Sequence, residues 1–220
     1  MVWVGQFGVA DGAASEATPW VGVYPDPDRD SDDTSDLYLI VEPALPGSED
    51  FVGEMKDAIA DIFHESKLTL TGGILRALRS AHENLREWNR RSLKEHRVAA
   101  GISCVAIRDD EAFLAQIGPA RAAYLHGGRL HELKPTVPEA TEALGLEEEF
   151  YPEFQRFEMA PGDRLLIMSP AVGDVASSEE LTAILAMKGE QALPALYARA
   201  RSLENCGAVL VAAAPLTDSE

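Results

Sequence analysis

Short apolar runs broken by turn residues open the chain: residues 2–9, 19–24 and 37–41 each read as a strand. Helical spacing follows. Val52, Met55, Ile59 and Ile62 recur at three- and four-residue steps behind Ser48, an N-cap residue type, with Glu49 and Asp50 favourably placed in the first turn. A second helix is predicted from Ile74, Leu78, Ala81, Leu85 and Trp88, with Arg76, Arg79, Arg86, Arg90 and Arg91 on its other faces. Stripes of so few turns are expected to pack on the protein's own sheet rather than pair with a partner as a coiled coil.

The strand pattern then returns. Residues 101–107, 112–117, 120–125 and 130–133, with turns at Asp109-Asp110 and Gly127-Gly128, read as an antiparallel meander. A short helix is predicted near 139–144 and a strand over 154–159. Beyond the turn Ala160-Pro161-Gly162-Asp163 come a strand over 164–168, helices near 178–187 and 191–204, and a last strand over 208–214. Strands, two helices, strands, helices and a strand do not make the regular alternation of a parallel α/β fold. The order suits an α+β protein of two antiparallel sheets covered by helices, as one domain over residues 1–220.

Charge narrows the function. Thirty-seven acidic residues against nineteen basic ones give a formal charge of −18, which repels nucleic-acid phosphates and anionic lipid surfaces. The first ten residues alternate apolar residues with glycine and lack a basic leader, so neither a signal peptide nor a membrane span is expected, and the cytoplasm is the expected location. Cys104 and Cys206 lie in apolar runs and are expected to be buried, reduced thiols.

Several candidate sites carry little. Residues 26–36 are expected to form an acidic, mobile loop; its Asp26, Asp28 and Asp30 alternate as in a calcium loop, but Ser31 and Leu37 stand where that motif needs Gly and Glu. Among His64, His82, His96, His126 and His131, the last two could face one another across a hairpin, which is read as surface chemistry. Neither Ser103 nor Ser169 brings a His-Asp partnership, and Asp163 reads as a turn residue.

Several segments, in order, resemble the PPM (PP2C-type) metal-dependent serine/threonine phosphatases. Residues 37–41 end in Glu42-Pro43 where that family ends a strand in Asp-Gly. Gly101-Ile102-Ser103 stands for its Gly-Thr-Thr, and Gly118-Pro119-Ala120-Arg121 with Tyr124 for its Gly-Asp-Ser-Arg turn and following Tyr. Residues 159–169 match the strand leading to Ser-Asp-Gly, which here reads Ser169-Pro170-Ala171. Glu204-Asn205 stands for Asp-Asn before the terminal strand, and Gly207 for a usual Thr. The family's N-terminal Arg and Asn-Glu-Asp motif has no counterpart. The resemblance spans roughly residues 1–214 and implies a four-layer α-β-β-α sandwich.

It also implies a damaged site. Active relatives hold two Mn or Mg ions that activate a bridging water, which requires several carboxylates to neutralise the dications and fix their spacing. Carried over by position, the ligand set here is Glu42, Pro43, Pro170 and Glu204. Pro170 offers no side-chain oxygen, and each Glu is one methylene longer than the Asp it replaces. Glu42, Glu204 and Asp174 are the candidate residual ligands, which would hold Mn or Mg only weakly, and no resident cofactor is expected. The expected function is that of a pseudophosphatase: a regulatory or binding module for a protein partner such as a kinase, a phosphoprotein or a genuine phosphatase. Two alternatives stay open, an active Mn- or Mg-dependent phosphatase with an altered site and a small-ligand sensor using the cleft between the sheets.

Overall fold

The structure is a computed structural model that describes residues 2–15, 18–27, 34–136 and 142–213. In chain order the strands and helices are β1 (Val2–Ala10), β2 (Ala13–Ser15), β3 (Val21–Tyr24), β4 (Asp36–Pro43), α1 (Glu49–His64) and α2 (Leu70–Arg91). After them come β5 (Ala100–Arg108), β6 (Glu111–Ile117), β7 (Arg121–His126), β8 (Arg129–Leu133), β9 (Glu153–Glu158) and β10 (Arg164–Met168). The chain closes with α3 (Pro170–Val175), α4 (Ser178–Leu185), α5 (Gly189–Ala200) and β11 (Cys206–Ala213).

The strands form two antiparallel sheets, one in the order β2-β1-β11-β10-β7-β8 and the other β3-β4-β5-β6-β9. Helices α1 and α2 pack on the second sheet, and α3, α4 and α5 on the first. This is the α-β-β-α sandwich.

Strand periodicity explains the layering, because alternate residues of the inner strands face different cores. On β10, Leu165 and Ile167 enter the core between the sheets while Leu166 and Met168 enter the core under α3–α5; on β11, Val209 and Val211 divide from Ala208 and Leu210 in the same way. With both faces covered, β11 is buried along its whole length, so it reads as a continuous apolar run rather than an alternating one.

Several expectations are corrected by the pairing. Residues 100–133 are not one meander: β5 pairs β6, but β6 then pairs β9 in one sheet while β7 pairs β8 and β10 in the other. The chain changes sheets between Ile117 and Arg121, where Gly118 adopts φ +62, a conformation its missing Cβ makes inexpensive. The strand β2 and the helix α3 lacked a sequence signal, being three and six residues long. The last helix ends at Ala200 rather than near 204.

Ser48 does occupy the N-cap position of α1, but its hydroxyl makes no cap bond and instead accepts from the Ala99 amide at 3.0 Å. His126 and His131 do not face one another, since the register sets His126 opposite Arg129 and His131 opposite Tyr124. The acidic stretch 28–33, the first half of the helix expected near 139–144 and the end of the strand expected over 208–214 lie outside the described residues.

Candidate functional site

At one end of the sandwich the last residues of β4 and β10 meet the first residues of β3 and β11. Trp20, just before β3, stays in the sheet because its carbonyl accepts from Val41 N at 2.9 Å. Its indole Nε1 donates across to Cys206 O at 2.9 Å and so ties this sheet to β11 of the other. From β10 the chain enters α3 through Ser169 and Pro170. Pro170 starts the helix, where its fixed φ fits and its missing N–H is not needed.

Ser169 is completely buried. Its amide donates to Gly207 O at 2.9 Å, and its Oγ accepts from Gly207 N at 2.8 Å. The Ser169 hydroxyl also favours the charged form of the neighbouring Glu42 carboxyl at the end of β4. Glu42 Oε1 is sealed from water and has no hydrogen-bond partner among the described residues.

Burial therefore dominates the electrostatics of this carboxyl. It raises the Glu42 pKa from 4.5 to about 7, with the Ser169 hydroxyl pulling in the opposite direction. The Cys206 thiol is pushed up to about 11 by burial and by the neighbouring Glu42 charge, which leaves a thiol rather than a thiolate at neutral pH.

Gly207 is required by space. A Cβ there would lie 2.2 Å from Val21 Cγ2 and 3.1 Å from Trp20 Cδ1. Apolar side chains thus take the space that a Thr, the residue type usual here by the resemblance, would need. Thr18 beside it is also buried, and its Oγ1 has no partner among the described residues. Neither Thr18 nor Trp20 could have been singled out from the sequence, since both read there simply as parts of a strand and its approach.

The other candidate ligands lie elsewhere or are engaged. Pro43 is the final residue of β4 and pairs with Ala100, so the chain stays extended at this point. Glu204 is exposed; its carbonyl accepts from Gly12 N at 2.8 Å while Asn205 Oδ1 accepts from Asp11 N at 3.1 Å. These two residues fasten the turn between β1 and β2. Asp174 projects from α3 to the surface, where its carboxylate bonds Arg121 Nη1 at 2.9 Å.

A pair of hard dications demands several converging oxygen ligands. Among the described residues, no three His, Cys, Asp or Glu side chains come together as a metal-binding group. Pro170 contributes no donor, and Glu42 is a single carboxyl. The residues present do not fit a two-metal centre.

A second polar cluster was missed by the sequence reading. Asp163 does form the turn that its local chemistry suggests, its amide bonding Ala160 O and its Oδ2 accepting from Ala160 N at 3.0 Å. It is also buried, and Oδ2 accepts from the Tyr124 hydroxyl at 2.5 Å and lies 2.9 Å from His126 Nδ1. Burial, with Asp163 close by, raises the Tyr124 pKa and keeps its phenol protonated.

No family model matches the chain, and no curated protein matches it in sequence. Solved structures do match. PppA, described as a key regulatory component of T6SS in Pseudomonas aeruginosa, is 18% identical with a TM-score of 0.74, over 96% of this chain and 97% of that one. The S. agalactiae serine/threonine phosphatase is 13% identical with a TM-score of 0.76, over 96% and 99%. The Mycobacterium tuberculosis serine/threonine phosphatase PstP/Ppp is 14% identical with a TM-score of 0.69, over 97% and 99%. The chain has the fold of these PP2C-type phosphatases over nearly its whole length.

Proposed function

We propose that this chain is a regulatory or binding module built on the PP2C fold, in which two-metal phosphatase chemistry has been lost and a protein partner is the ligand. The observation that carries this reading is Pro170. A residue without a side-chain donor opens α3 where the resemblance calls for a metal carboxylate. Its neighbour Glu42 supports the reading, since a carboxyl with a pKa of about 7 is protonated in about half of the molecules at neutral pH, and a hard dication binds the carboxylate form.

A kinase, a phosphoprotein or an active phosphatase of the same fold is the class of partner in view, and the use of this fold by PppA in a regulatory role is consistent with it. The free thiols of Cys104 and Cys206 fit a reducing compartment, which accords with action in the cytoplasm.

The test is direct. Purified protein is titrated with Mn by calorimetry, its metal content is measured, and hydrolysis of an aryl phosphate is followed with and without Mn. The expected result is no tight metal and no metal-dependent turnover. Two tightly bound ions with Mn-dependent hydrolysis would overturn the reading in favour of a phosphatase with an altered site.

A further inference from the structure

On the solvent side of the helical layer over the β3-β4-β5-β6-β9 sheet, a groove of about 250 Å³ runs between α1 and α2. Met55, Ala58 and Ile62 of α1 form one wall and Ala77, Ala81 and Leu85 of α2 the other. At its end Trp88 is 50% exposed and rests edge-to-face on Phe51, with ring centroids 4.8 Å apart. The sequence stripe that included Trp88 predicted burial. A large half-exposed aromatic closing an apolar channel is the kind of anchor that interfaces use.

The charges beside the groove are divided by helix. Along α1, Asp50, Glu54, Asp57 and Asp61 are all exposed and follow one another at helical steps, so they form a single carboxylate stripe. Helix α2 carries five arginines and two glutamates; Arg76, Arg79, Arg90 and Arg91 are exposed, and so are Glu83 and Glu87, the latter paired with Arg90 at 3.5 Å and with Arg91 at 2.5 Å, which leaves the helix net positive. In a chain of formal charge −18, this is a local reversal of sign directly across the groove from an acidic helix.

Such an arrangement is complementary to itself. Helices α1 and α2 are consecutive and pack against one another. Rotation by a half-turn about an axis lying along the groove, parallel to the helices, lays α1 of one copy on α2 of the other. The acidic stripe then meets arginines twice, as a two-fold interface requires. A half-turn about an axis across the helices would instead set acid on acid.

We propose that this face binds a second copy of the chain, as a two-fold dimer in which the α1–α2 layers join as a four-helix bundle with Trp88 as anchor. This interface is separate from the cleft at Glu42, and it stands or falls independently of how that cleft works.

The experiment is sedimentation velocity, with light scattering after size exclusion, at about 100 µM protein, where a contact of micromolar Kd is largely saturated. Wild type is expected to run at twice the chain mass. Ala58→Arg, which fills the groove with a charge, is expected to run as a monomer with an unchanged far-ultraviolet circular dichroism spectrum. Two further variants guard against misfolding. One carries Asp50→Lys, Glu54→Lys and Asp61→Lys; the other carries Arg76→Glu, Arg79→Glu and Arg90→Glu. Each is expected to be monomeric alone, and the two are expected to form a one-to-one dimer on mixing. A monomeric wild type, a dimer untouched by these changes, or charge variants that fail to pair when mixed would each overturn the proposal.

Discussion

Ser169 and Gly207 bond one another twice, amide to carbonyl at 2.9 Å and amide to hydroxyl at 2.8 Å, where the end of β10 meets the start of β11. Ser169→Ala removes the acceptor of the buried Gly207 N–H. An expected loss of about 1–3 kcal/mol follows, the cost of one buried group left unsatisfied. Urea denaturation measures it; a loss under about 0.5 kcal/mol would mean that water replaces the hydroxyl without penalty.

Glu42 makes stability depend on pH. Its folded pKa of about 7 stands above the ordinary value of 4.5, so the folded protein holds this proton more tightly than the unfolded chain. The stabilisation is complete below about pH 4.5 and is lost as pH rises through 7. At about 1.4 kcal/mol per pH unit, the loss approaches about 3.5 kcal/mol. Glu42→Gln is expected to match wild type at pH 5 and to be more stable at pH 8. Equal stability of the two proteins at both values in urea titrations would refute the burial of this carboxyl.

Gly207→Thr, which restores the residue type that the resemblance places there, drives a Cβ into Val21. Overpacking of this kind costs about 1–3 kcal/mol. A lowered denaturation midpoint is expected. Co-substitution of Val21→Ala is expected to recover part of it, because the clash is with that side chain.

Asp163→Ala removes the carboxylate that accepts from Tyr124 and Ala160 and lies beside His126. Loss of a buried network of this size is expected to cost about 2–4 kcal/mol in urea denaturation. It is also expected to lower the Tyr124 pKa seen in ultraviolet titration of the phenolate, since the nearby Asp163 is one cause of its elevation.

Restoring the ligands tests the register of the resemblance. Glu42→Asp, Pro43→Gly, Pro170→Asp and Glu204→Asp together are expected to raise Mn affinity at least about tenfold over wild type by calorimetry, about 1.4 kcal/mol. No increase at all would mean that these four positions do not correspond to the family's ligands.

Most of the elements were legible because each has its own local signal. The run from Arg164 to Met168 behind a Pro-Gly-Asp turn and the three- and four-residue steps of α1 and α2 need no distant partner to be read. Pairing is different. Nothing in the period of β6 or β7 says that they belong to different sheets, and only the turn at Gly118 hints at the change of direction. Asp163 shows the same limit within one residue. Its Asx-type bond to Ala160 is local, whereas its burial comes from Tyr124, 39 positions away. Ser48 matched the residue type of a cap, yet the amide that claims its hydroxyl is 51 positions downstream.

In the cleft, residue identities alone pointed to Pro170 and Glu42. That one carboxyl oxygen of Glu42 is shut off from water depends on the meeting of two sheets, and Trp20 became visible only as the indole that bridges them. Helix α2 hid a further network for the same reason. Buried Asn89 bonds Val98 O, Gly145 O and Val98 N, each at 2.8 Å, but in sequence it is one more polar residue.

The pairing of β1 with β11 joins Val2 to Ala213 and Val9 to Cys206. During synthesis β1 therefore has no neighbour on that side until β11 has left the ribosome, and β10 also waits for β11. The first sheet closes late, by a pairing between strands far apart in the chain. Until then β1 keeps an open edge on which another chain could pair.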